Sequence, residues 1–368
     1  MPTETEVNAV KDSAHTTKLS ILLAMAMFVV VVDTSIMNVS ISAVVRDLGT
    51  TVSGVQAAIA IEALVSAAFI LINSKVGDLI GRKRAYILGL LGYAIGALAM
   101  TLAQSLTAIL IFWAIIGGLG ASLLLPAMQS LIHGNFEGAA QKKTYALVGA
   151  ATGIAAAIGP LLGGFITTYL SWRLGFLLEA VIIAIVLLNI KLVNDVPYTG
   201  SRQVDVVGAI LSVLGMGGIV LSILVWQEGG EAVGALMVVG VVAMFLFARW
   251  LLRNKKQGKP TLLDPDLFNS KHFRLGITEQ MLQNISLGGM MIALPIYFQM
   301  VFEYTAMLTG LAVAPFSLSI FGIALLAGRR AGNRRPSRII QVGFGILFVG
   351  VALLLPLVPR ADSGWSFL

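Results

Sequence analysis

Apolar runs long enough to cross a bilayer follow one another along the chain, with only short polar joints between them. A hydrocarbon layer about 30 Å thick is crossed by about 20 helical residues. Backbone N–H and C=O groups find no water there, so each crossing segment must satisfy its own hydrogen bonds. The runs are continuous rather than alternating, which predicts helices. Eleven are read, at approximately 19–45, 53–74, 85–104, 106–132, 144–170, 173–194, 204–226, 232–252, 274–301, 308–328 and 338–358. Only 12% of the 368 residues are charged and 57% are hydrophobic, where soluble domains carry roughly 25% charge. The expected class is an all-α polytopic membrane protein. The joints leave no room for a soluble domain, and the lack of cysteine excludes disulfide and thiol chemistry. No small-residue cleavage site follows the first run, so it reads as a retained span rather than a removable signal.

The basic residues fix an orientation. With residues 1–18 inside, every second joint is basic: Lys75 with Arg82–Arg84, Lys142 and Lys143, Lys191 and Arg202, then Arg249 to Arg274, then Arg329 to Arg338. Of the 25 Lys and Arg, only Arg46, Arg173 and Arg360 fall elsewhere. Cytoplasmic joints collect Lys and Arg, so the N-terminus is expected in the cytoplasm of a cell whose inner (plasma) membrane holds the chain. The positive net charge needs no nucleic-acid partner.

Residues 149–176, GAATGIAAAIGPLLGGFITTYLSWRLGF, carry two stripes of small residues four apart. Ala151, Ala155, Gly159 and Gly163 form one; Thr152, Ala156, Pro160 and Gly164 form the other. At 100° per residue they are neighbouring faces of one helix. Small stripes let backbones approach closely in lipid, where apolar burial gives no gain, and Pro160 permits a bend. A tight structural pair and a sliding contact both fit.

Between the second and third spans stands Ser74-Lys-Val-Gly77-Asp78-Leu-Ile-Gly81-Arg82-Lys83-Arg84, an acid four residues ahead of a basic triplet, with two glycines for a tight turn. This resembles the signature loop of the major facilitator superfamily, with Ser74 in place of its leading glycine. Gly149, Gly153, Gly159, Pro160, Gly163 and Gly164 are similar to the antiporter motif of that family's fifth helix. Trp172, Arg173 and Phe176 resemble the opening of its sixth. Asp33, Thr34, Ile36, Asn38 and Val39 in the first span, and Leu294–Gln299 with Leu308–Leu311 later, are similar to the fourteen-helix drug:proton antiporter branch. In the fourth span, Gly118, Gly120, Ala121 and Pro126 align with the family's pattern, but Ala114 stands where it has an arginine thought to assist proton coupling.

The resemblance implies a six-helix bundle at 19–194 after a cytoplasmic tail (1–18), and two inserted linker helices at 195–254. A basic loop (255–273) and a partial C-terminal bundle (274–368) follow. It implies secondary active export of drug-like or cationic amphipathic compounds by alternating access, exchanging them for protons, with the fifth helix sealing the cavity against leak. Counted against a plan of six, two and six, the last bundle has three spans. The alternative expectation is therefore a truncated, transport-incompetent remnant or an assembly partner.

Ionisable side chains within spans are costly and functional by default. Asp33 is the first candidate for proton coupling, since burial would raise its pKa. Glu62 is the second, as proton site or counter-charge for a cationic substrate. Glu179 and Glu279 follow, and Asn38 and Gln283 complete the proton-coupling and substrate candidates; Gln280, Gln283 and Asn284 give the ninth span a polar stripe. Each acid could instead make a structural hydrogen bond between helices, or sit near enough to the interface to be hydrated. Asp205 is expected to cap the seventh span. Tyr93, Trp113 and Phe298 could face a cation, and Gln129 could line the cavity with Trp113. His15, His133 and His272 fall in the tail or inner joints, which speaks against a histidine relay. Neither a phosphate loop, a metal cluster nor a nucleophile–base pair is present, so no cofactor and no enzymatic activity is expected, and an ion gradient must supply the energy.

Overall fold

A computed structural model describes residues 4–197, 205–228, 231–330 and 336–357. Among them stand eleven long helices, one for each expected span, and no β-strand. They are α1 (Glu4–Leu48), α2 (Val52–Ile80), α3 (Arg82–Leu102), α4 (Leu106–Asn135), α5 (Gly138–Tyr169) and α6 (Trp172–Leu188), then α7 (Val206–Leu224), α8 (Glu231–Lys256), α9 (Lys271–Val301), α10 (Ala306–Arg330) and α11 (Pro336–Leu357). Eight are long and apolar enough to cross a membrane. Of the other three, α6 has only 17 residues, α9 opens on the polar stretch Lys271–Asn284, and α10 offers the apolar piece Met307–Phe316.

Several helices outrun the expected spans. The polar segment expected as a tail is helical from Glu4 and continuous with the first span, and α2 extends to Ile80 rather than stopping at 74. Hydropathy marks where hydrocarbon ends, but the i→i−4 ladder continues wherever the next residue can join it. Inside α4, residues Ile109–Gly117 form a π-helical stretch, with Ala114 buried in it.

The chain divides into two compact units that do not follow sequence order: Met1–Ser40, Phe136–Ser171 and Ile285–Leu368 form one, Ile41–Asn135 and Trp172–Asn284 the other. In the first, α5 packs on α1 and on α10. Ser20 and Thr144 hydroxyls meet at 2.8 Å, as do those of Ser40 and Thr167. Such bonds contribute about 0.6 kcal/mol each in a bilayer, so close backbone packing carries most of the contact. Phe298 is buried beside Tyr297, Phe302 and Tyr304, an aromatic cluster closing the end of α9.

In the second unit α3 shows how one helix serves two environments. Leu88, Leu91, Ile95, Leu98 and Leu102, spaced three and four apart, are exposed and suit lipid. Tyr86, Gly89, Tyr93, Gly96 and Ala97 face inward. Gly89 and Gly92 lie against Gly120 of α4, where an added Cβ would come within 2.9 Å of the Gly120 carbonyl or 3.2 Å of its Cα. The α7–α8 hairpin repeats this at Gly218 and Gly240.

Candidate functional site

The basic turn between α2 and α3 is not a loop. One residue, Gly81, separates the helices, at φ +102°, a conformation that side chains rarely allow. Arg82 forms an ion pair with Asp78 and donates to the Ser74 carbonyl at 3.2 Å. Gly77 is buried against both Arg82 and Ala85, where a Cβ would come within 3.3 Å of the guanidinium. Lys83 contributes its backbone, donating its N–H to the Asp195 carboxylate at 2.9 Å, while Arg84 is exposed. Asp195 thus supplies the carboxylate that Gly81, lacking a side chain, cannot offer to the start of α3. Asn135 at the end of α4 holds the same segment, through the Asn194 carbonyl at 3.0 Å and the Asn194 N–H at 3.3 Å.

A second polar knot binds the ends of α1, α3 and α6. Trp172 Nε1 donates to Asp47 Oδ2 at 3.0 Å, and Arg173 pairs with the same carboxylate. The other Arg173 amino group donates to the Ala103 carbonyl, and the guanidinium stacks 4.5 Å over the Trp172 ring. Below it, Phe176 is fully buried and meets Trp113 and Trp172 edge-on.

In the first unit the two stripes of α5 face two neighbours. On one side, a Cβ at Gly159 would lie 2.5 Å from that of Ser35, and one at Gly163 would lie 2.7 Å from Val39 Cγ2. On the other, the Pro160 carbonyl oxygen approaches to 3.2 Å of where Gly310 of α10 would carry a Cβ. Gly153 and Gly164 are buried; Gly149 is exposed, with open space where a Cβ would go.

Of the acids within spans, Asp33 and Glu179 are each 1% exposed, whereas Glu62 and Glu279 are half-buried. Asp33 shares the buried face of α1 with Val29, Ile36, Met37 and Ser40. Asn38 lies five residues on, about 140° around the helix, and is exposed, so it does not join that face. Gln283 is exposed too, and Gln280 reaches Asn284 at 3.4 Å. Tyr93, Trp113 and Phe298 are buried in packing positions rather than open to a cation, and Gln129 is exposed while Trp113 is not. Asp205 caps α7 through the Gly208 N–H at 2.8 Å, as expected, and also accepts from Trp250 Nε1 at 2.8 Å. Sequence reasoning missed Asp47 and Asp195, whose partners lie more than 100 residues away.

Comparison with known proteins gives the family and the fold. Residues 23–209 match the model of the Major Facilitator Superfamily. The puromycin resistance protein pur8 of Streptomyces alboniger is 31% identical over 349 residues, covering 93% of this chain and 68% of the relative. The multidrug export protein EmrB of Escherichia coli K12 is 28% identical over 340 residues, covering 90% of this chain and 65% of the relative. The chain therefore spans about two thirds of the length of these relatives. A crystal structure of the peptide transporter POT, complexed with alafosfalin, superposes with a TM-score of 0.59 at 14% identity, over 94% of this chain and 77% of that one. Two of the three, EmrB and POT, are named for export and transport rather than for an enzymatic activity.

Proposed function

Because the chain belongs to the Major Facilitator Superfamily, we propose that it is a secondary active exporter. It exchanges protons for drug-like or cationic amphipathic small molecules by alternating access in the cell inner membrane, with its N-terminus cytoplasmic. In this reading 19–194 is the first bundle and α7–α8 are an inserted pair. The observation that carries it is the seating of Gly159 and Gly163 on α1. The small-residue face that resembles an antiporter motif presses on the helix that buries Asp33, with Ser35, two residues along, at the contact.

Asp33 is the proton site of this scheme. Its carboxyl is buried on α1, and the relatives' names supply the cargo class, puromycin among them. Ala114 is fully buried and carries no charge, so coupling here runs without the arginine the family usually has in that helix. The gradient supplies the work, and the Asp78–Arg82 turn is the gating element of this reading.

The test is transport into everted vesicles or proteoliposomes holding the purified chain, with an imposed pH gradient and puromycin or a fluorescent cation as cargo. Wild type is expected to accumulate cargo while the gradient lasts, and Asp33→Asn to lose at least tenfold of that rate. Undiminished gradient-driven transport by Asp33→Asn overturns the assignment.

A further inference from the structure

The inner end of the α7–α8 hairpin holds a groove of about 710 Å³, lined by Leu211 of α7 and by Leu246, Arg249, Trp250, Leu252, Arg253, Lys256 and Gln257. Its composition is two-sided. Arg249, Arg253 and Lys256 recur at i, i+4 and i+7, which places three cations along one face of the helix. Leu211, Leu246, Trp250 and Leu252 supply the apolar part.

The nearby acids are committed elsewhere. Lys255 takes both Asp264, at 2.8 Å, and Asp266, at 2.9 Å, into the joint that follows α8. The Asp205 carboxylate, beside the Trp250 indole, is buried on three donors: the N–H groups of Gly208 and Leu262 and Trp250 Nε1. Among the described residues no carboxylate pairs with Arg249, Arg253 or Lys256. Arg249 instead lies 6.0 Å over the Phe245 ring.

Depth in the bilayer decides what can fill such a groove. The 26 residues of α8 extend about 39 Å at 1.5 Å per residue, more than the ~30 Å hydrocarbon layer. Its last turns therefore stand among headgroups, where Trp250 also suits the interface. Cations at a helix C-terminus complement the macrodipole, but that does not require a groove, or apolar side chains beside the charges. We propose that this groove binds one anionic phospholipid, its phosphate on Arg249, Arg253 and Lys256 and the start of an acyl chain on Leu246, Trp250 and Leu252. The inserted hairpin is in this view a lipid-reading element, independent of the transport assignment.

The experiment is native mass spectrometry of the purified full chain after delipidation, titrated with dioleoylphosphatidylglycerol, dioleoylphosphatidylcholine or inorganic phosphate. Wild type is expected to retain one phosphatidylglycerol at least tenfold more tightly than phosphatidylcholine. The triple variant Arg249→Gln/Arg253→Gln/Lys256→Gln is expected to lose that preference. Lys142→Gln/Lys143→Gln, which removes two cations from the second turn of α5, is expected to keep it. If circular dichroism shows the triple variant unfolded, Arg253→Gln alone carries the comparison with a smaller loss in the same direction. Equal retention of both lipids, an unchanged preference in the variants, equal loss in the Lys142/Lys143 control, or phosphate displacing the lipid at equal concentration each overturns the proposal.

Discussion

Gly159 and Ser35 sit so close that a methyl group on the glycine would lie 2.5 Å from the serine Cβ. Atoms do not share that distance, so Gly159→Ala must push α1 and α5 apart. Overpacking of this kind costs about 1–3 kcal/mol. A lowered melting temperature in detergent is expected, partly restored by adding Ser35→Gly, because the second change removes the atom struck. Gly149→Ala, made where a Cβ meets open space, is expected to leave the melting temperature unchanged.

Gly81→Ala is expected to destabilise the α2–α3 junction for two separate reasons. Its φ of +102° is strained for any side chain, and the new Cβ would stand 2.7 Å from Asp195 Oδ2. Backbone strain alone is about 1–3 kcal/mol. Hydrogen exchange at the first turn of α3 should rise. Asp195→Ala should raise it too, by loss of a cap contributing about 1 kcal/mol. Gly258→Ala, at φ +65° with nothing nearby, should leave this turn untouched.

Asp47 and Arg173 should behave as a coupled pair. Their side chains are 42% and 21% exposed, so the pair lies between surface bridges, worth up to about 1 kcal/mol, and buried ones. In a double-mutant cycle of Asp47→Asn and Arg173→Gln, a coupling near 1 kcal/mol is expected from thermal unfolding. Trp172→Phe, which keeps the ring but loses the donor to Asp47, should reproduce part of the Asp47→Asn loss.

Glu62 lies half-buried on α2 with its backbone carbonyl against Gly118 of α4. The proposal that Glu62 is the counter-charge for cationic cargo, rather than a proton site, predicts that Glu62→Gln cuts export of a cationic dye at least tenfold. Export of a neutral compound should fall by no more than twofold, since the backbone contact is unchanged. Direct comparison of the two cargoes in vesicles checks this.

The helices were legible because hydrocarbon imposes its thickness on sequence: α3, α7 and α8 begin and end within a few residues of the apolar runs. What hydropathy misses is anything that depends on partners. The π-helical stretch Ile109–Gly117 is apolar on every side, so no period marks it. The junction at Gly81 looked like an eleven-residue loop because Lys75, Asp78 and Arg82 are polar, yet helix continues through them. Asp47 and Asp195 gave no local sign of their roles. One signal was present for the first: Arg173 was among the three basic residues left outside the inner joints, and a cation off the general pattern invites a search for its acid. Asn38, by contrast, belonged to a motif and still lies on the far side of α1 from Asp33.

The single residue between α2 and α3 also governs how the chain withstands digestion. Trypsin prefers Lys and Arg, and Lys75, Arg82, Lys83 and Arg84 crowd that turn. A protease must draw several residues into its cleft as an extended strand, and one glycine between two helices offers none. The Lys259–Pro260 bond resists trypsin because of its proline, but Lys256, the last residue of α8, opens onto the irregular stretch 257–264, so among the described residues cleavage after Lys256 should separate the chain there and leave the most basic-looking turn whole.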